Sequence, residues 1–279
     1  MANKIIPRRS LEDSDEGVAT TVGTIMALLV FLSLFSMITQ QYVPIWMEDN
    51  EAYHMEDAMA QFSDLKGRVD NLIINDYKDY PMYSTVRLGS AGVPMLASQT
   101  PGTIRVSPEW GNMTLRLDDG DESEEFWGGG NLSLFVPNSY FEEQTIVYEH
   151  GAIILEQPQG AVIRAAPHIR IKEIDGNYSM SLTLTAIIPS LSPPYSARGV
   201  GVVGVTAELF GATKYTFQNP ENVTLRLTTA YPQAWASWFN ETTDASANID
   251  GNSLEVNFEG LDISDLRVTK ARINIELST

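Results

Sequence analysis

The chain has no cysteine and only three histidines in 279 residues, and basic residues are half as numerous as acidic ones, 18 against 36. Without cysteine there is no disulfide, no thiolate zinc site and no thiol nucleophile. A secreted animal domain of this size would carry disulfides, so their absence points to a prokaryotic surface. The net charge of −18 argues against nucleic acid, which rewards Lys and Arg at its phosphates. It also argues against a domain lying flat on an anionic bilayer, while suiting a soluble surface domain in a salty medium. Apolar residues at 43% are ample for one large domain or two small ones. Cofactor and catalytic signatures are lacking too. Gly128-Gly129-Gly130 has no following Lys-Ser/Thr. Gly199 to Gly204 lacks the dinucleotide spacing, and neither Glu149-His150 nor His168 belongs to a triad or HExxH pattern. The chain therefore reads as a non-enzyme without a cofactor.

Charge is absent altogether from Gly17 to Met47. A bilayer core about 30 Å thick needs roughly 20 apolar residues of helix, and this run exceeds that. Three readings compete. A cleaved secretory signal would have a shorter apolar core and a small-x-small site, which Ser36 to Gln41 does not offer. A signal anchor would keep Lys4, Arg8 and Arg9 in the cytoplasm and send the remainder out, since the next basic residues are Lys66 and Arg68. The third reading is a removable leader, with a charged head ending at Asp15-Glu16-Gly17 and an apolar helix opening at Val18.

That junction, with Ala19-Thr20-Thr21-Val22-Gly23-Thr24-Ile25-Met26 behind it, resembles archaeal type IV pilin-like and archaellin-like precursors. The resemblance implies cleavage between Gly17 and Val18. Bacterial pilins carry a Glu at the fifth mature position, where this chain has Val22; many archaeal members lack it as well. Ala19, Gly23 and Ala27 recur every four residues and form a small-residue stripe that admits a second helix, though such residues are common in membrane helices.

Pro44 has no N–H and is expected to kink or break the helix at the membrane exit, where Tyr42 and Trp46 suit the lipid–water boundary. Beyond Glu48, the residues Met55, Ala58, Met59, Phe62, Leu65, Val69 and Leu72 make an apolar stripe at helical spacing. Glu51, Glu56, Asp57, Gln61, Asp64 and Lys66 fill the polar gaps. The helix ends near Tyr77, before Pro81. Its stripe packs either on the chain's own β domain or on another helix in a filament or dimer. His54, on this helix, is a poor metal ligand candidate.

From about Tyr83 the period changes to two, as in Thr103 to Ser107, Asn112 to Leu117, Ser179 to Thr185, Asn222 to Thr228 and Leu266 to Leu277. Such alternation predicts a mainly β domain of antiparallel sheet, a β-sandwich or jelly-roll arrangement. Tyr231 to Phe239 reads as a short helix opened by Pro232. Its Trp235, Trp238 and Phe239 would fall largely on one side, serving either a core or a carbohydrate platform. The expected organisation is a leader (1–17), a membrane or pilin-type helix (18–47), a stalk helix (48–78) and an outer domain (79–279). The Pro/Ser loop near 189–200 offers a split of that domain into two halves.

Five Asn-x-Ser/Thr sequons, at Asn112, Asn131, Asn177, Asn222 and Asn240, all fall in the outer domain and are candidate glycosylation sites. Asp118, Asp119 and Asp121 are weak calcium candidates in the densest acidic run, whose spacing is not an EF-hand.

The order of parts also resembles a wider group of archaeal pilin-like proteins of unassigned biochemical role. The parallels are Val18 to Thr39, Glu56 to Leu72, Gly102 to Val106, Glu149 to Leu155 and Tyr231 to Phe239. The resemblance implies placement at the cell membrane or in an extracellular filament. It also implies partners in the membrane and in further pilin-like subunits, and a minor or accessory subunit is expected at this length. The alternative is a single-pass envelope protein that binds a partner without polymerising.

Overall fold

A computed structural model describes residues 11–118, 123–174, 176–189, 194–243, 245–258 and 260–278, with the side chains of 11–17 and 189 excluded. The chain opens with a long helix: α1 (Leu11–Met37), a π-helical segment (Ile38–Tyr42) and α2 (Val43–Asn75). Pro44 does not break it. The Val43 N–H reaches back five residues to the Ile38 carbonyl, and Pro44 falls within the first two positions of α2. The wide turn absorbs the amide that proline cannot donate. Thr39 Oγ1 adds bonds to the carbonyls of Phe35 (3.0 Å) and Ser36 (3.1 Å). The helix ends at Asp76, whose φ of 52° is left-handed.

Strands dominate the remainder. In chain order they are β1 (Met82–Arg87), β2 (Gly102–Ser107), β3 (Asn112–Asp118), β4 (Ser123–Gly128), β5 (Asn131–Val136), β6 (Gln144–Glu149), β7 (Ala152–Gln157) and β8 (Gly160–Ala165). Then come β9 (Ile169–Ile174), β10 (Asn177–Pro189), β11 (Ser196–Gly199), β12 (Val202–Gln218) and β13 (Val223–Thr228). After α3 (Pro232–Thr242) the chain closes with β14 (Ser246–Asp250), β15 (Ser253–Asn257) and β16 (Ile263–Ser278). They form three sheets, ordered β1-β12-β16-β10-β9, β11-β2-β5-β6-β7-β8 and β14-β15-β13-β3-β4.

The expectation of a wholly antiparallel system needs correction. β10 and β16 pair in parallel from Met180↔Leu266 to Pro189↔Ile275. Between the two strands the chain adds β11 to the second sheet, returns to the first as β12 and then builds β13, β14 and β15 of the third. It re-enters the first sheet beside the start of β10, where the Tyr178 N–H bonds the Asp262 carbonyl at 2.7 Å.

Two apolar cores result. The first gathers the α2 stripe (Met55, Ala58, Phe62, Leu65, Val69, Leu72) with β1, β2, β5 and the ends of β12 and β16. The second gathers β3, β13, β15 and α3. Long strands feed both, and residues 190–193 of the Pro/Ser loop lie outside the described residues. β16 sends Leu266 and Val268 to the second core and Ile273 and Ile275 to the first. β6 does the same with Val147 on one face and Ile146 and Tyr148 on the other. The stalk stripe is thus spent on the chain's own β domain.

Candidate functional site

The largest unpartnered surface is the N-terminal helix itself. Val18 to Phe35 are all exposed, including Ile25, Leu28, Leu29, Phe31 and Leu32. The apolar window of this helix has a hydropathy of 2.2, none of it is buried, and it is long and apolar enough to cross a membrane. An exposed apolar surface of this size marks a contact with protein or lipid. Ala19, Gly23 and Ala27 share this open face, and a Cβ placed on Gly23 would meet nothing within 4 Å. Tyr42 and Trp46, one helical turn apart, hold their rings 6.1 Å apart at its outer end. Burial then begins at once, with Val43 and Met47 covered. Gly17 lies in α1, directly before the first residue whose side chain is described.

Just beyond this boundary sits a buried carboxylate. Glu51 lies on the apolar face of α2, wholly buried. It accepts the Thr100 hydroxyl at 2.6 Å and the backbone N–H groups of Ser139, Tyr140 and Phe141 at 2.8–3.0 Å. Burial alone would raise its pKa; these donors outweigh that and lower it. Glu51 therefore ties two loops, 88–101 and 137–143, to the foot of α2. Its place one turn after Met47 and one before Met55 marks it as inward-facing, a signal that the gap-filling assignment above missed.

A second polar knot joins α2 to the start of β9. Lys66 Nζ lies 2.9 Å from Asp70 Oδ2, and His168 Nε2 lies 2.6 Å from Asp70 Oδ1. Burial would raise the Asp70 carboxyl, but His168 and Lys66 hold it below its ordinary value. A cleft of about 520 Å³ opens beside this knot, lined by Asp70, Ile73, His168, Arg170, Ser181 and Thr183 among others.

Glu149 and His150 hold the middle of the domain. Glu149 is fully buried and accepts from Thr229 Oγ1 (2.8 Å) and Trp235 Nε1 (2.9 Å). Burial pushes its carboxyl up, only partly offset by these donors. His150 and Gly151 form the two-residue turn between β6 and β7, with φ values of 47° and 77°. His150 is buried, and burial lowers its pKa to about 4. His54 Nε2 lies 3.0 Å from the Arg87 carbonyl, within the α2–β1 contact. These groups hold elements together; none of the three histidines joins a metal-ligating cluster among the described residues.

The sequons separate into two kinds. Asn112, Asn177, Asn222 and Asn240 are exposed. Asn131 is not a surface acceptor: it is 7% exposed, and its Nδ2 faces Glu149 Oε2 at 3.5 Å. Asp118 faces Arg116 at 3.3 Å; Asp119 and Asp121, its partners in the calcium reading, lie outside the described residues. Trp235 and Phe239 are wholly buried core residues, with the Trp238 ring packed edge-on against Phe239.

No curated protein and no solved structure matches the chain. A family model does, over residues 17–276, from the apolar helix to the last strand. The chain belongs to this family, described as a family of unknown function (DUF7289).

Proposed function

We infer that the chain is a non-enzymatic cell-surface protein, a pilin-like subunit of minor or accessory role. Its N-terminal helix is held in a membrane or a helical assembly, and its β-sandwich domain is displayed outside. The observation that carries this reading is the bare apolar helix, Val18 to Phe35, continuous with a helix that is docked on the β domain. A helix of about 25 residues spans about 37 Å, enough for a bilayer core. The open Ala19/Gly23/Ala27 face supports close approach of a second helix. The family match begins at residue 17, beside the proposed cut. Four exposed sequons support a glycosylated outer face. The buried polar groups are engaged in holding the fold together, which fits a display module.

A second reading, a single-pass anchor that never polymerises, is favoured by one observation: the α2 stripe is buried on its own domain and offers nothing to a neighbour. Mass spectrometry of the mature protein separates the two. A chain beginning at Val18 supports the processed subunit. An intact Met1 or Ala2 start overturns it and leaves the anchor.

A further inference from the structure

The loop from Leu88 to Gly102 is a second membrane contact; the geometry points to its tip, Val93 to Ala97, resting in the lipid interface beside the N-terminal helix. The inference rests on that helix being held in a bilayer. Three observations carry it.

The first is direction. β1 runs down α2 toward the helix foot. Ser84 Oγ reaches Asp64, the Arg87 N–H donates to Gln61 Oε1, and the Ala91 carbonyl accepts from Asn50. Over the whole path the lengths agree, with about 23 Å of extended chain from Ser84 to Ala91 against about 21 Å of helix from Asp64 to Asn50. Continuing the same path carries the chain past Asn50 toward Trp46 and Tyr42.

The second is rigidity and reach. Ser90 and Thr100 exchange backbone bonds at 3.1 and 3.3 Å, closing the neck of the loop. Thr100 Oγ1 fixes that neck to Glu51. Glu51 stands five residues above Trp46, about 7.5 Å along the axis. Three extended residues beyond the neck reach about 10 Å. Val43 and Met47 are 4% and 0% exposed, so the domain does cover the helix at the level of the aromatic pair.

The third is chemistry. Leu88 to Ile104 carry no charge in a chain whose net charge is −18. At the tip Pro94, Met95 and Leu96 are exposed, Met95 completely. Its φ of 66° is left-handed, and the Leu96 and Ala97 N–H groups both turn back to the Val93 carbonyl. A compact, uncharged, apolar tip level with a Tyr/Trp pair fits the headgroup–acyl boundary, where such elements settle about 5–10 Å deep. Lipid is the occupant the geometry favours, because the tip sits where the helix enters the bilayer.

The chain lacks cysteine, so single labels are clean. Full-length protein carrying a fluorophore at Met95→Cys, Leu32→Cys or Ile249→Cys is reconstituted into phosphatidylcholine vesicles with or without brominated acyl chains. Ile249 lies in β14 of the third sheet. Bromination should dim the labels at 32 and 95 and spare the one at 249, with position 95 responding most to bromines near the headgroup. If position 32 is dimmed and 95 behaves like 249, the loop faces water and the inference is overturned while the anchor stands. If position 32 is not dimmed either, the bilayer reading fails and the loop contact falls with it.

Discussion

Replacing His150 with Asn isolates one source of acid sensitivity in this fold. The imidazole is 1% exposed. Its Nε2 donates to the Gly111 carbonyl at 2.6 Å, and its Nδ1 accepts the Thr185 N–H at 3.4 Å. That pattern fixes the neutral ring, because protonating Nδ1 would set one N–H against another. Burial accordingly lowers the pKa from 6.5 to about 4. The unfolded chain binds a proton near pH 6.5 and the folded chain refuses it until about pH 4. Stability is therefore lost as pH falls through that window. At roughly 1.4 kcal/mol for each tenfold change in proton affinity, the loss is about 3 kcal/mol. Asn tolerates the left-handed φ of 47° and, before Gly151, suits a two-residue hairpin. It leaves a void and weaker hydrogen bonds, so near neutral pH the variant should be less stable by about 2–4 kcal/mol. On acidification the gap should close by about 3 kcal/mol, because only the wild type loses the histidine contribution. Urea unfolding of the full chain in neutral detergent, followed by tryptophan fluorescence, reads both curves; Trp235 is fully buried and reports the second core. His54, also lowered by burial, is present in both proteins and cancels in the difference. Parallel stability curves between pH 6.5 and 4 would refute the argument.

Glu51→Ala leaves three backbone N–H groups at Ser139, Tyr140 and Phe141 without their acceptor. It should cost about 3 kcal/mol and raise hydrogen exchange in both loops that Glu51 ties, 88–101 and 137–143; unchanged exchange there would show that the carboxylate is not their tether. Because its pKa is lowered, the Glu51 contribution is present above the ordinary carboxylate value of 4.5 and fades as pH falls below it. Glycopeptide mass spectrometry of native protein should confine any occupancy to Asn112, Asn177, Asn222 and Asn240, and a glycan on Asn131 would contradict its burial against Glu149. Pro44→Ala restores an N–H and should let the π segment relax, turning α1 by about 100° relative to α2. Spin-label distances between Leu28 and Tyr53 should then shift, and an unchanged distance would show that Pro44 does not cause the wide turn.

Periodicity made the helices and most strand positions legible. The α2 stripe, the Trp235 helix and the strands around Leu115, Leu182 and Leu225 follow from spacing alone, because one buried face imposes it. Strand partners were less legible. Alternation in β10 and β16 reads the same for parallel and antiparallel neighbours, so their parallel pairing left no mark in the sequence. β6 concealed its role differently: Ile146, Val147, Tyr148 and Glu149 are all buried because the strand feeds two cores, and a run buried on both faces loses its alternation. Glu51 was legible by position, one turn from Met47 and Met55, yet a carboxylate on an apolar face reads as solvated until its donors from residues 100 and 139–141 are known. Those donors lie far away in sequence, and no local pattern announces them.

The long helix meets two environments without a hinge between them. Residues 18–35 are exposed on every side, while Val43, Met47, Glu51 and Met55 form a buried stripe that continues to Ile73. A domain on a flexible linker would tumble freely above its anchor. Here burial starts one residue after the π segment, so the domain moves with α2, and its tilt follows from how α1 sits. The five residues Ile38 to Tyr42 are the only irregular stretch of helix between the two among the described residues, and Thr39 and Gln40 brace it with side-chain bonds to Phe35 and Ser36. Orientation is thus built into the covalent path: whatever surrounds α1, lipid or other helices, sets which face of the β domain looks outward.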